Sequence, residues 1–516
     1  MTGTRGWLLI FALALAAAGA RAEPAPLHAG VGRAEITPPV GTPLAGYSDR
    51  RGAASTGVRD AVWAKALALV AGDHEVVIAT VDLCGIAPAM RQAVAQKAGI
   101  APERLLLCAS HTHSGPGAYG RGAFASAVLG AYDEQIYQLL VERIAAAVRQ
   151  ARERRVPARF GHGATDLPGY SRNRRGGSVV NTTLHVLRVD TAAGEPLAVL
   201  FQYATHGTLL GADNLEISGD WMGAAQRAIE AVLPGATALY VNGAEGDQAP
   251  RPPAGTRGSE AVEAMGCAIG EAAVALRRGI ATSDRLAIAV REEPVALPPS
   301  TMALLAGLAP GQAPLQFVRL GDVGLIAIPG EMIAELGQRI EAHARRQGVR
   351  HPIVVGLAND HHGYFVTEAE HRKGGLEAQL SFYGPRFGEQ LAEAAMRLIG
   401  GEPLPPPPPP TDAEIVRRWF AALPRLLRRN VPATFRADYH FVIEGAGSWR
   451  VSFADARASI RPLAATEGAS VTLRASAATW AALLRHERSW RQALTDDQVT
   501  VDGDLTLALR LPELVR

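Results

Sequence analysis

Apolar and polar positions alternate in blocks along most of the chain, and the blocks predict strands that are followed by helices. Segments with apolar residues at helical spacing predict helices at Pro88–Gly99, Asp133–Arg152, Trp221–Val232 and Glu331–Gln347. This pattern is typical of an α/β body with loops at its strand ends, where functional sites usually lie. Short apolar runs ending at polar residues predict the strands Glu75–Asp82, Arg104–Cys108, Leu197–Tyr203, Ala236–Asn242, Gly324–Ile328 and Pro352–Leu357.

A run of six prolines, residues 405–410, predicts a stiff polyproline II spacer. The proline run is part of a linker, residues 403–410. This linker divides a body, residues 23–402, from a C-terminal domain, residues 411–516. In that domain, Thr411-Asp412-Ala413-Glu414 is a capping box that opens an amphipathic helix through Arg429. Alternating strands, a helix at Ala477–Arg485 and a segment Gln498–Leu511 that turns at residues 502–504 follow, so we expect a small α+β domain.

The first 22 residues resemble a secretory signal peptide. Arg5 supplies a charged start, Trp7–Ala18 is an apolar run of 12 residues, and Ala20-Arg21-Ala22 forms a small-x-small cleavage site. The alternative is a membrane anchor, but the run is shorter than the roughly 20 apolar residues that span a bilayer. We therefore expect cleavage after Ala22 and an exported protein, periplasmic or secreted, that contacts a membrane at most peripherally.

Composition excludes several classes of partner and of cysteine-based site. Lys and Arg number 52 against 50 Asp and Glu, which leaves a net charge of +2 and no basic excess for phosphate contacts. We therefore expect no nucleic-acid partner. The three cysteines, Cys84, Cys108 and Cys267, exclude a disulfide scaffold, a cysteine-rich zinc module and an iron–sulfur protein.

Histidines stand directly after two of the predicted strands. His111-Thr112-His113-Ser114-Gly115-Pro116-Gly117 follows Arg104–Cys108, and His206 follows Leu197–Tyr203. Two imidazoles one residue apart on an extended segment point to opposite sides. Both can face one metal only if the chain bends, which the Ser-Gly-Pro-Gly sequence allows. The alternative is a pair of surface histidines in a loop.

Two more polar clusters follow two other strands. Glu331 comes after Gly324–Ile328, where a carboxylate that opens a helix is often only a favourable partner of the helix dipole. The cluster Asn359-Asp360-His361-His362-Gly363-Tyr364 follows Pro352–Leu357. Together, polar clusters at four strand ends indicate a zinc site, because imidazoles with a carboxylate are a common zinc ligand set.

In combination these motifs resemble the ordered landmarks of the neutral/alkaline (non-lysosomal) ceramidases across residues 28–400. Besides the HTHSGPG motif, the resemblance includes Gly30-Val31-Gly32-Arg33-Ala34-Glu35-Ile36-Thr37, Pro329-Gly330-Glu331, Gly356-Leu357-Ala358-Asn359 and Tyr383-Gly384-Pro385. It implies hydrolysis of the amide of N-acylsphingosines with one Zn²⁺. By the same resemblance the zinc ligands are His111, His206, Glu331 and Tyr364, His113 faces the scissile amide, and Arg174 is the substrate-side arginine.

The chain departs from the family pattern at two positions. Ala249 stands where the family typically carries an active-site serine, and Leu376 stands where it carries a tyrosine. A mechanism that depends on that serine is excluded, whereas attack by a metal-bound hydroxide is compatible with the sequence.

The C-terminal domain resembles a sterol-carrier-protein-2-type lipid-binding domain. The resemblance rests on short motifs that are each of low specificity, such as Phe441-Val442-Ile443-Glu444-Gly445, Trp449-Arg450-Val451 and Val499-Thr500-Val501-Asp502-Gly503. The alternative is a generic α+β dimerisation module.

Our leading hypothesis is an exported zinc amidohydrolase that cleaves an N-acyl amide lipid. The rivals are a non-catalytic lipid carrier on a degenerate ceramidase scaffold and a metal hydrolase of other amides or of esters.

Overall fold

The computed structural model describes residues 23–305, 311–400, 411–426, 435–454, 457–463, 468–484 and 487–514. The predicted signal peptide, residues 1–22, and the proline run lie outside this described part. The described residues form two compact units. The first, called the body below, holds residues 23–296 and 311–400, and the second holds residues 297–305 and those from 411 onward.

Strands and helices are numbered separately in chain order. The strands are β1 Ala25–Glu35, β2 Gly57–Val58, β3 Trp63–Ala71, β4 His74–Val81, β5 Leu105–Ala109, β6 Val156–Asp166, β7 Ser171–Asn173, β8 Thr183–Thr191, β9 Pro196–Gln202, β10 Glu216–Ile217, β11 Thr237–Val241, β12 Gln248–Pro250, β13 Arg285–Leu286, β14 Ile288–Ala296, β15 Gln312–Leu320, β16 Val323–Ala327, β17 Glu331–Met332, β18 His351–Val355, β19 Tyr364–Phe365, β20 Ala437–Glu444, β21 Gly447–Ala454, β22 Arg457–Pro462, β23 Val471–Ser476 and β24 Val499–Gly503. The helices are α1 Met90–Ala98, α2 Ala123–Leu129, α3 Glu134–Glu153, α4 Asp220–Val232, α5 Gly258–Arg278, α6 Thr301–Leu305, α7 Ala334–Arg346, α8 Glu368–Arg372, α9 Leu376–Gln379, α10 Phe387–Gly400, α11 Asp412–Leu426, α12 Ala477–Leu484, α13 Trp490–Thr495 and α14 Leu505–Leu514.

Four layers build the body. The larger sheet has the strand order β11-β9-β8-β6-β1-β3-β4-β5, with β13 paired to β1, and the smaller sheet has the order β14-β15-β16-β18. Apolar side chains of both sheets share one buried cluster between them. Helices α1, α3, α4 and α5 cover the outer face of the larger sheet, and α7 and α10 pack on the smaller one. The predicted α/β body is thereby confirmed.

Helix α3 shows how local sequence leads to packing. Asp133 caps its start by accepting a hydrogen bond from the Gln135 backbone N–H. Its apolar stripe, which includes Leu140 and Ile144, is buried against the larger sheet. The helix can lie this close because β1 carries Gly30 and Gly32, where any Cβ would collide with the α3 backbone. Either glycine changed to alanine would force the helix away from the sheet.

Parallel strand pairs bring the predicted clusters to one edge of the two sheets. Strand β4 is parallel to β5, β9 to β11, and β16 to β18. Their boundaries lie within two residues of those predicted from the apolar runs. Parallel pairing brings the ends of β16 and β18 together, whereas β5 and β9 lie far apart in the strand order of the larger sheet. Isolated bridges join the remaining loops, because Thr112 pairs with Gly207 after β9 and Cys108 pairs with Ala358 after β18.

One predicted boundary is wrong. Glu331 does not open a helix, because Glu331–Met332 forms the short strand β17, and α7 begins only at Ala334. The reason is long-range pairing: β17 is parallel to β19, with Glu331 opposite Tyr364. The Glu331 backbone N–H donates to the Gly363 carbonyl, a partner more than thirty residues away that local sequence cannot reveal.

The second unit is a five-stranded sheet with helices, which confirms the predicted α+β domain. Its strand order is β22-β21-β20-β23-β24. Helix α11, which opens at the Thr411 capping box, packs its apolar face into an aromatic core with α12 and the sheet. The predicted segment Gln498–Leu511 is strand β24 followed by helix α14. In the described part of the chain, no helix is long and apolar enough to cross a membrane.

Candidate metal centre

His111 follows β5 and adopts a backbone conformation with a φ of 70°. This left-handed value is uncommon for a non-glycine residue and produces the bend that the HxH motif needs. The bend therefore lies at His111 itself rather than in the Ser-Gly-Pro-Gly sequence that follows. As a result the Nε2 atoms of His111 and His113 are 3.2 Å apart, on the same side of the chain.

Backbone carbonyls fix the orientation of both predicted histidine ligands. The Nδ1 atom of His111 lies 2.6 Å from the carbonyl oxygen of Cys84, and that of His206 lies 2.8 Å from the carbonyl oxygen of Gln248. Because a carbonyl oxygen can only accept, each Nδ1 must carry the proton and donate it. In the neutral rings, each Nε2 is left with a bare lone pair, the arrangement that outer carbonyls impose on metal-binding histidines.

Both lone pairs point at Glu331. Its Oε2 atom lies 3.3 Å from Nε2 of His111 and 3.2 Å from Nε2 of His206. The donor atoms of these three residues all lie within 4.8 Å of one another. Glu331 Oε2 is buried, and His111 and His206 rings that are neutral and turned this way offer it no hydrogen-bond donor. A cation would satisfy all three atoms, and two imidazoles with a carboxylate suit Zn²⁺.

Tyr364 completes the predicted ligand set. Its hydroxyl oxygen lies 3.3 Å from Nε2 of His206 and accepts a hydrogen bond of 3.0 Å from Nη2 of Arg174. The pairing of β17 with β19 places it beside Glu331. The structure thus brings together four residues that up to 253 positions separate in sequence (364 − 111). That they bind a metal stays a prediction.

Arg174 is held by an ion pair that the sequence did not predict. Its Nε donates to Glu377 Oε1 at 2.7 Å, and its Nη2 also donates to the Gly246 carbonyl at 2.9 Å. Glu377 is buried and accepts from Arg175 as well. This carboxylate fixes the guanidinium against Tyr364. The sequence signal was weak, because Glu377 is one charged residue in a short polar segment.

His113 lies on the partly open side of the cluster. It is half-buried, and its Nδ1 atom has no hydrogen-bond partner among the described residues. The ring of Tyr47 packs edge-on against it at a centroid distance of 4.9 Å. Arg50 holds its backbone by donating from Nη1 to the His113 carbonyl at 2.5 Å. The structure therefore places His113 beside His111 but outside the group of His111, His206 and Glu331 donor atoms that lie within 4.8 Å of one another.

Two further residues near the cluster were not assigned a role from the sequence. His361 Nε2 lies 3.2 Å from Glu331 Oε1, so this imidazole can hold the carboxylate oxygen that does not face His111 and His206. Cys84 lies with its sulfur 3.8 Å from His111 Nδ1. His361 could have been singled out from the polar cluster at residues 359–364. Cys84 gave no local signal.

The protonation states follow from burial and from the charges nearby. Burial lowers the pKa of His206 to about 4, and it lowers the pKa of His113 well below the usual value, so both are neutral at pH 7. Burial also opposes charge on His111 and Glu331. Without a cation, their mutual attraction outweighs it, raising the pKa of His111 and lowering that of Glu331, so that a proton on His111 Nε2 pairs with the carboxylate; a bound cation would take the place of that proton. Burial raises the pKa of the Tyr364 phenol well above its ordinary value.

The two positions where the chain departs from the family pattern lie in different surroundings. Ala249 is buried in β12, which pairs with β7 so that Ala249 stands opposite Arg172. Leu376 begins α9 next to Glu377 and is 53% exposed. No hydroxyl is present at either position, so neither can donate to a substrate.

Comparison with known proteins confirms both resemblances. Residues 27–244 match the family model of the neutral/alkaline non-lysosomal ceramidase N-terminal domain, and residues 428–516 match that of the SCP-2 sterol transfer family. Neutral ceramidase from Pseudomonas aeruginosa is 27% identical over 222 residues, or 39% of this chain and 33% of that protein. Neutral ceramidase A from Dictyostelium discoideum is 31% identical over 106 residues, 19% of this chain and 15% of that protein.

These alignments span a third or less of the curated relatives. The fold comparison reaches further. The crystal structure of neutral ceramidase from Pseudomonas aeruginosa superposes with a TM-score of 0.65 at 21% identity, covering 74% of this chain and 76% of that one. The body therefore has the fold of that enzyme.

Proposed function

We propose that this chain, whose residues 27–244 match the neutral/alkaline ceramidase family model, is an exported zinc-dependent hydrolase of an N-acyl amide lipid. The observation that carries the proposal is the convergence of two bare imidazole nitrogens on a buried oxygen of Glu331 that has no partner among the described residues. Without a cation, a proton on His111 has to keep the buried carboxylate paired, because three acceptor atoms held together in the interior are costly.

The residues would divide into those that hold the metal and those that hold its ligands. His111, His206, Glu331 and Tyr364 would bind Zn²⁺, and the carbonyls of Cys84 and Gln248 would keep both imidazoles in the right tautomer. When bound, Zn²⁺ polarises a substrate carbonyl and lowers the pKa of a water molecule to about 7.

His113 would carry out proton transfer. It is neutral at pH 7 because burial lowers its pKa, and it stands 3.2 Å from His111 on the partly open side of the cluster. In that place the neutral imidazole can accept a proton from the attacking water and pass that proton to the leaving amine, or it can hydrogen-bond the oxygen of the tetrahedral intermediate. Arg174, oriented by Glu377, would stabilise the negative charge that develops on the acyl oxygen or fix the head group.

The substrate proposal rests on the family match and on apolar chemistry in the second unit. Residues 428–516 match the SCP-2 sterol transfer family, and the core of this unit is rich in large aromatic side chains. We propose that the unit binds an acyl or sterol-like lipid. A ceramide-like molecule with an N-acyl amide is the substrate that suits both units.

Metal analysis followed by a hydrolysis panel tests the proposal. The purified protein should contain about one zinc per chain. It should release fatty acid from N-acyl lipids, and a chelator should stop the reaction reversibly. Fatty-acid esters and short acyl amides in the same panel separate the lipid amidase from a hydrolase of other bonds. A zinc-loaded protein that binds lipid but hydrolyses no substrate would overturn the enzyme and support the carrier.

A further inference from the structure

Helix α2 is an apolar helix that lies uncovered beside the candidate metal centre. It has the sequence AFASAVL, which contains no charged side chain. Of its seven residues, all of which the structure describes, none is buried. A helix this apolar is normally packed into the core, so one that stays uncovered indicates a surface to which an apolar ligand binds.

The C-terminal end of α2 lies one residue away from the ring of His113. The Val128 carbonyl accepts a hydrogen bond of 3.0 Å from the Gly46 N–H. Gly46 in turn lies directly against His113, because a Cβ at this glycine would come within 2.5 Å of the imidazole Cγ. The helix therefore borders the partly open side of the centre.

Phe124, near the N-terminal end of α2, reaches the other side of the centre. Its ring packs edge-on against the ring of Phe382, with a centroid distance of 5.1 Å. Phe382 lies against Gly363, the residue before Tyr364, where a Cβ would come within 2.7 Å of the Phe382 ring. The two rings thus join the segment that follows His113 to the segment that follows Tyr364.

The centre is covered, and α2 is the covering element best suited to move. The four proposed metal ligands are each at most 6% exposed, so a lipid amide reaches their donor atoms only if a covering element shifts. Glycines stand at both ends of α2, Gly122 with a φ of 96° and Gly130 with a φ of 80°. Glycine absorbs changes of φ and ψ at little steric cost, which is what a hinge requires.

We propose that α2 is a gate through which the lipid substrate reaches the centre, and that Phe124 contacts one of the substrate's alkyl chains. The inference rests on the proposed function, because the lipid amide is the ligand to which it commits. When the Phe124 ring separates from Phe382, it exposes apolar surface on which an alkyl chain is removed from water. Because each methylene that leaves water adds to binding, this contact makes turnover depend on chain length.

Chain-length preference tests the gate. Two series of amides are compared, one with the acyl chain varied and one with the amine chain varied. Wild type should favour long chains in at least one series, which identifies the chain that the gate contacts. In Phe124→Ala, the ratio of kcat/KM for the longest chain to that for the shortest should fall at least about tenfold in that series.

Two control variants separate chain recognition from a general disturbance of the centre. Phe124→Leu keeps an apolar side chain and should lose less of the ratio than Phe124→Ala. Ser126→Ala, at an exposed position of the same helix, should keep the wild-type ratio. A disturbed centre would lower kcat/KM equally for all chain lengths. An unchanged ratio in both series, or an equal fall in Ser126→Ala, would overturn the gate.

A second measurement uses the unaltered full chain, in case Phe124→Ala folds poorly, and it does not depend on turnover. Long-chain amides that carry a diazirine at the end of the acyl or of the amine chain are irradiated with the protein, and mass spectrometry identifies the labelled tryptic peptides. Peptide 122–143, which contains α2, should be labelled, and an excess of unlabelled amide should prevent it. Absence of label from this peptide would overturn the gate. If the peptide is labelled but no N-acyl lipid is ever hydrolysed, the proposed function fails and the lipid contact of α2 stands.

Discussion

The interiors of the two units differ in what they hold. The body surrounds a cluster of buried histidines and carboxylates at its strand ends, with the partly exposed Arg174 beside them. The second unit has an aromatic core that includes Trp419, Phe420, Phe441 and Trp480. Among the described residues, the potential metal ligands lie in the body. The chemistry is thus concentrated in one unit, where rigid apolar layers can hold polar atoms in fixed positions, and apolar contacts dominate the other.

The largest expected effect is the loss of zinc and of hydrolysis in the body, with lipid binding by the second unit unchanged. His111→Ala removes the imidazole whose Nε2 atom faces Glu331. Only His206 then remains as a proposed histidine ligand. We expect nearly all zinc and all hydrolysis to be lost, because His111 is a proposed ligand. Elemental analysis and fatty-acid release measure both. Lipid binding by the second unit, followed by tryptophan fluorescence, should stay unchanged, and its loss would show that the units are not independent.

His113→Ala separates proton transfer from metal binding within the body. His113 is outside the group formed by His111, His206 and Glu331, so the variant should keep its zinc and lose about 10²–10⁴-fold in kcat/KM. His113→Gln is the matched control for shape, and it should lose a similar factor because an amide cannot transfer the proton. Equal zinc loss in the His111 and His113 variants would contradict this assignment and make both histidines ligands.

Phe420→Ala should affect the second unit alone. Phe420 is 1% exposed and contacts the rings of Phe441 and Trp449 with centroid distances of 5.0 and 4.1 Å. Its removal leaves a cavity that should lower the free energy of unfolding of this unit by about 3–5 kcal/mol. Urea unfolding measures the change, and Leu509→Ala, at a 55% exposed side chain, is the control. The zinc content of the body should not change.

A smaller effect distinguishes the units by acid sensitivity. His162 and His185 of the body lie with Nε2 and Nδ1 3.1 Å apart, and burial lowers their pKa values to about 4 and about 3. Both are neutral in the folded and unfolded chain above pH 6.5. Between pH 6.5 and about 4 the unfolded chain takes up protons first, so the body loses stability as the pH falls.

Replacing both histidines isolates that contribution. At pH 4.5, the difference in unfolding free energy between the wild type and His162→Gln/His185→Gln should be about 1–3 kcal/mol smaller than at pH 7.5. Denaturant unfolding of both proteins at the two pH values measures it. The second unit should show no such difference. If the difference in unfolding free energy between wild type and variant is the same at both pH values, the pair does not titrate as its burial implies.

Local patterns in the sequence determined most elements and the positions of the candidate ligands. Strands β4, β5, β9, β11, β16 and β18 lie within two residues of their predicted bounds, because each is a buried apolar run that ends at polar residues. The clusters at His111, His206, Glu331 and Tyr364 were visible for the same reason, since each follows such a run. Residue roles came from the resemblance to a family and not from the pattern.

Tertiary structure alone decided how those residues meet. Glu331 faces His111, 220 positions earlier (331 − 111), and it lies in β17, which pairs with β19 rather than starting a helix. The left-handed backbone of His111, the ion pair of Arg174 with Glu377, and the approach of the Cys84 sulfur to His111 all depend on packing between distant segments. Periodicity records which face of an element is buried. It contains no information about which distant residue will lie opposite, because that is fixed by strand pairing and by the close packing of the layers.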